Sequence, residues 1–137
     1  MRDSIDRHSA LVYTMVLVSA AEGRMSDSEL EIMTHIVRSL PVFSDFDTDR
    51  LLSVGRECAE LLAQEEGLAV ALDLIARALP QPLRETAYAL ACDVAAADGR
   101  ASQAELRLLE MLRERLDLEP LVTGAIERAA QARFRVA

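Results

Sequence analysis

At 137 residues the chain has the size of one ordinary domain and can bury a core without disulfides or a structural metal. Its apolar content (51%) is carried by alanine and leucine, with 4% aromatics, five glycines and four prolines; this helix-forming composition excludes a β-sandwich, a collagen, a disulfide scaffold and a disordered tail. All fifteen basic residues are arginine, which excludes Schiff-base, Walker A and kinase-type lysine chemistry, and a formal charge of −8 disfavours nucleic acid and anionic lipid while favouring cations and basic partners.

The opening Met1-Arg2-Asp3-Ser4-Ile5-Asp6 is charged and no cleavable apolar core follows it, so no signal peptide is expected. A first helix is predicted over 4–21. Its dense stretch from Leu11 to Ala21 is far short of the roughly 20 residues that cross a bilayer, so no direct membrane insertion is expected. Glu22-Gly23-Arg24-Met25 breaks the run. Ser26-Asp27-Ser28-Glu29 then has the form of a capping box, in which Ser26 accepts from the N3 amide and Glu29 reaches back to the cap amide. The second helix should bury Leu30, Met33, Val37 and Leu40, spaced as one face, and stop before Pro41.

Val42 to Phe46 reads as a loop with aromatic anchors, and Asp47 or Thr48 can cap a third helix over 48–63. Asp45, Asp47 and Asp49 look like a solvated approach to that cap. A fourth helix is predicted over 66–79, through Leu68, Leu72, Ile75 and Leu79. Pro80 and Pro82 punctuate the chain before a fifth helix over 81–97. Asp98-Gly99-Arg100-Ala101 is the next break, and Ser102-Gln103-Ala104-Glu105 is a second capping box opening a sixth helix to about 116. Glu119-Pro120 opens a seventh helix to about 132, which Leu116, Leu118 and Leu121 should dock.

The second half repeats the first at an offset of 76. Ala20-Ala21-Glu22-Gly23-Arg24 matches Ala96-Ala97-Asp98-Gly99-Arg100, Ser26 matches Ser102, Glu29 matches Glu105, Leu30 matches Leu106 and Leu40 matches Leu116. Each half is helix, acidic-Gly-Arg turn, S-x-x-E cap, helix. Two copies are too few for a solenoid, so a pseudo-two-fold pair of helical hairpins is expected, bridged by the third and fourth helices. The expectation is an all-α fold of about seven helices, one domain over 1–137, with the internal repeat at about 11–40 and 87–116.

On the doubled motif, Ala20 to Glu29 and Ala96 to Glu105, the sequence resembles the tellurite-resistance TerB family in its stand-alone form, from about Leu11 to Ala130. The resemblance implies a bacterial-type all-helical domain of two pseudo-symmetric halves, associated with tellurite and general stress resistance, with acidic motif residues proposed to bind divalent metal. The DnaJ-like fusion known in the family is not implied, because no His-Pro-Asp motif and no membrane anchor are present.

The residues themselves permit two readings of the acidic turns. Asp98-Gly99-x5-Glu105 and Glu22-Gly23-x5-Glu29 resemble the second half of an EF-hand loop, yet the first and third ligand positions fall on Val94 and Ala96, and on Val18 and Ala20, which offer no side-chain oxygen. A different oxygen site would gather Asp93, Asp98 and Glu105 at the second turn, with Glu22 and Glu29 at a weaker first one. Such donors suit Mg²⁺, Ca²⁺ or Mn²⁺. The other reading is structural: the glutamates cap helices, the glycines make turns, and Asp98 and Glu22 bond turn amides or pair with Arg100 and Arg24.

Other chemistry is thin. His8 and His35 lack histidine partners at ligand spacing, and Glu31 and His35 stand at i, i+4 rather than the i, i+3 of di-iron bundles. Cys58 and Cys92, 34 residues apart and with no CxxC, read as reduced, inert core thiols of a cytoplasmic protein. Met15, Met25, Met33 and Met111 read as core fillers. The expectation is a non-enzymatic cytoplasmic protein that holds a divalent metal at its turns, or alternatively an adaptor whose acidic surface docks another protein without metal. A chain this acidic is a poor direct ligand for the tellurite oxyanion, so any resistance would be indirect.

Overall fold

In the computed structural model, residues 4–23 and 25–137 are described. Asp6 opens the first helix: its carboxylate accepts from the Ser9 amide at 2.8 Å, and α1 runs Arg7–Ala20. Every residue from Ser9 to Ser19 is buried, so α1 is enclosed on all sides and lies at the centre of the fold. Its repeat partner α5 (Gln81–Ala96) is buried along Ala87, Ala91 and Ala95, each at most 3% exposed. Among the described residues, α1 and α5 form the most extensive contact between any two helices.

The other helices wrap this pair. They are α2 (Asp27–Ser39), α3 (Arg50–Leu62), α4 (Gly67–Ala78), α6 (Gln103–Leu116) and α7 (Pro120–Arg133). A 3-10 turn, Pro41–Phe43, follows α2. Among the described residues there are seven α-helices and no strand, the all-α fold expected from the sequence. The α3 and α4 helices pack on α1, and α4 also reaches α6, while α7 covers α5. The hairpins interlock: α2 rests on α5 of the other half, and α6 on both α5 and α1.

Arg84 ties several elements together. Its guanidinium donates to the carbonyls of Ala76 (2.7 Å), Leu79 (3.1 Å) and Leu116 (3.3 Å), satisfying orphan acceptors where α4 and α6 end. On α1, His8 Nε2 donates to the Val42 carbonyl at 2.9 Å and its ring stacks on Phe43, which pins the 3-10 turn.

Several details depart from the periodic reading. On α2 the buried residues are Glu29, Met33, Ile36 and Val37, whereas Leu30 and Leu40 are exposed. The buried face of the helix is therefore rotated from the purely apolar one and includes Glu29. Met25 is exposed rather than core, and Leu121 is 88% exposed and does not dock α7. The N-cap of α3 is Asp49 and makes no side-chain cap bond; Asp47 instead accepts from the Asp49 amide at 3.0 Å in the preceding turn.

Candidate functional site

The two acidic turns share one backbone course. Ala21 and Ala97 end their helices at φ/ψ of −58/−30° and −58/−32°. The Gly23 and Gly99 amides donate back to Ala20 and Ala96 at 2.9 and 2.8 Å. Both glycines have positive φ, 89° and 86°, and a Cβ at either would meet nothing within 4 Å. Glycine is required there by conformation rather than space. Ser26 and Ser102 then return to extended backbone and cap their helices.

Both capping boxes form with the same dimensions. The amides of Glu29 and Glu105 donate to the serine hydroxyls at 3.1 Å, and the serine amides donate to Oε1 of each glutamate at 2.9 Å. Each cap thus occupies one carboxylate oxygen and leaves the second for another partner. Both glutamates are buried, at 4% and 2% exposure, which is unusual for capping residues.

They are buried because the halves meet at this point. Glu105 and Glu29 are joined by a side-chain hydrogen bond, and Glu22 adds negative charge nearby. Burial pushes the Glu105 carboxyl up to about 7, opposed by the Ser102 amide and reinforced by the bond to Glu29 and the charges of Glu29 and Glu22. A neighbouring carboxylate raises the cost of ionising Glu105, so its proton is held well above the usual carboxylate range. A second link crosses the halves: the Ser26 hydroxyl, already accepting from Glu29, donates to Asp98 at 3.1 Å. The acid of the second turn therefore holds the cap of the first, while the acid of the first turn acts on the buried glutamate of the second.

Of the five candidate carboxylates, Glu29 and Glu22 act on Glu105 across the halves, and Asp98 meets the Ser26 hydroxyl. Asp93 is engaged elsewhere, accepting from the Arg133 guanidinium on α7. Its counterpart Leu17 is core. Among the described residues no group of three or more His, Cys, Asp or Glu side chains is arranged to hold a metal ion. Pairing of Glu22 with Arg24 lies outside the described residues, as do Met1 to Asp3. Cys58 and Cys92 are buried thiols, each pushed up by burial to about 12 and so protonated at neutral pH.

Sequence reading missed two features. The Ser26–Asp98 bond had a signal in the repeat itself, since a pseudo-two-fold axis brings equivalent turns together. The Tyr88–Arg113–Glu127 cluster had none. Tyr88 donates to Glu127 while Arg113 donates to both, at 2.8 and 3.0 Å, joining α5, α6 and α7.

These features define a class: an all-helical protein of two interlocked hairpins whose capping glutamates meet across the repeat. The chain matches the family described as Tellurite resistance protein TerB over residues 8–128, nearly its whole length, and it belongs to that family. No curated protein and no solved structure matches it. Among the described residues no helix is long and apolar enough to cross a membrane.

Proposed function

We propose that this TerB-family domain serves tellurite and stress resistance as a non-enzymatic cytoplasmic protein that takes up a divalent cation at the junction of its acidic turns. The observation that carries the reading is the buried contact between Glu29 and Glu105 with Glu22 beside it. Burying two carboxylates beside one another costs desolvation that capping alone does not need, since a glutamine or an exposed glutamate also serves the cap. The pair is a reasonable donor set for a hard cation, because each glutamate has an oxygen beyond the one its cap uses. Glu29 and Glu105 would give the first oxygens to Mg²⁺, Ca²⁺ or Mn²⁺ with water completing the shell, Glu22 would add negative charge, and Asp98 would fix the Ser26 cap. When bound, the cation would neutralise the pair and displace the Glu105 proton. Asp93 leaves this set because Arg133 already compensates it.

Thermal unfolding tests the reading. After EDTA treatment at pH 8, adding back a cation at about 100 times its Kd should stabilise the protein by about 2.7 kcal/mol, roughly 10 °C. Glu29→Gln with Glu105→Gln should abolish the shift. No response to Ca²⁺, Mg²⁺ or Mn²⁺ in the natural sequence would refute it.

One observation favours a second reading, an adaptor that works without metal. Leu30 and Leu106 directly follow the two buried glutamates and are 50% and 46% exposed, with Met25 also exposed. Apolar side chains flanking acidic turns suit a partner segment carrying both leucine-like and basic residues. Partner capture insensitive to EDTA, and lost on Leu30→Ser with Leu106→Ser, would select this reading.

A further inference from the structure

A concavity lies between α5, α6 and α7, beside the second acidic turn, and neither Glu29 nor Glu105 lines it. It encloses about 480 Å³, within the range of small-molecule sites. Its walls are apolar, with Ala95 and Ala96 from α5, Leu106 and Leu109 from α6, and Phe134 after α7. Its charges run against the rest of the molecule. Three arginines (Arg100, Arg113 and Arg135) and one carboxylate (Glu127) line it, a local net positive charge on a chain of −8. Arg113 and Glu127 neutralise one another at 3.0 Å and are locked by Tyr88. Arg100 and Arg135 make no ion pair among the described residues, although acidic side chains outnumber basic ones.

We propose that this cavity binds a medium-chain fatty acid, its alkyl chain in the alanine- and leucine-lined space and its carboxylate on Arg100 and Arg135. Two properties of the ligand follow from two of the site. The two arginines at the rim favour an anion, and guanidinium groups suit the planar carboxylate. Beyond the arginines the lining is mainly apolar, from Ala95, Ala96, Ala101, Leu106, Leu109 and Phe134, with Gln131 and the Arg113–Glu127 pair as its remaining polar groups. At about 30 Å³ per water-sized group, a chain of about ten carbons with its head group fits the volume with room for water at the mouth. The Cys92 thiol, which also lines the cavity, is protonated and takes no part in covalent chemistry.

Isothermal titration with decanoate in EDTA tests the proposal on the full chain. Hexanoate, octanoate and 1-decanol are titrated alongside, into the natural sequence and into Arg100→Gln with Arg135→Gln. Both arginines are exposed, so the double variant should fold, which its melting curve verifies. The expected result is saturable 1:1 binding of decanoate. Each pair of methylenes removed should weaken it on the order of tenfold, the double variant should lose at least about tenfold, and decanol should bind equally to both proteins. Absence of saturable decanoate binding would overturn the proposal, as would decanoate affinity unchanged in the double variant. Binding only above the concentration at which decanoate self-associates, or only to anionic-lipid vesicles, would overturn it as well. Because the titration contains EDTA, its failure and the failure of the cation reading are separate results.

Discussion

Replacing Glu105 by glutamine removes a titration while keeping a cap. Glutamine serves as well as glutamate at the third position of a capping box, so the bond from the Ser102 amide can persist. The amide can also donate to Glu29. What disappears is the ionisation. The folded chain holds the Glu105 proton up to about pH 7, whereas the unfolded chain releases it near 4.5. Between those values the folded state binds more protons than the unfolded one. The stability from this group is therefore complete below about pH 4.5 and is lost as pH rises through 7. A difference of that size corresponds to about 3 kcal/mol, roughly 10 °C in melting temperature for a chain of this length. In metal-free buffer the natural sequence should lose stability from pH 5 to pH 8 by that order. Glu105→Gln should match it at pH 5 and exceed it by about 3 kcal/mol at pH 8. Circular-dichroism melts in EDTA across pH 5–8 measure both. A pH-independent difference between the proteins, or a glutamine variant less stable at pH 8, would refute the held-proton account.

Two further predictions concern the scaffold. Gly99→Ala and Gly23→Ala place a Cβ on backbone of positive φ with open space around it, so each should cost about 1–2 kcal/mol through conformation alone, read as a shift in urea midpoint. Arg84→Ala strands carbonyls at the ends of α4 and α6 and should cost about 2–3 kcal/mol by the same assay; Arg84→Lys should recover only part of this, because one ammonium cannot reach all three acceptors.

The local grammar of this fold is written in the sequence. Serine three residues before glutamate, an acid-glycine turn and proline at a helix start each act within one turn of chain, so caps, turns and seven helices follow from neighbours alone. The offset of 76 adds the pseudo-two-fold pairing. Packing decided what lies beyond that range. It turned Glu29 inward and Leu30 outward on α2, against the hydrophobic period, where α2 lies on α5 of the other half. It separated Asp93 from Asp98 by giving Asp93 the Arg133 guanidinium of α7. It joined the two turns into a single junction, through Ser26 to Asp98 and Glu29 to Glu105. It also gathered three arginines of an acidic chain around one cavity. These contacts link residues tens of positions apart. Helix periodicity says which side chains share a face, but which neighbour that face meets is set only when the helices are packed together.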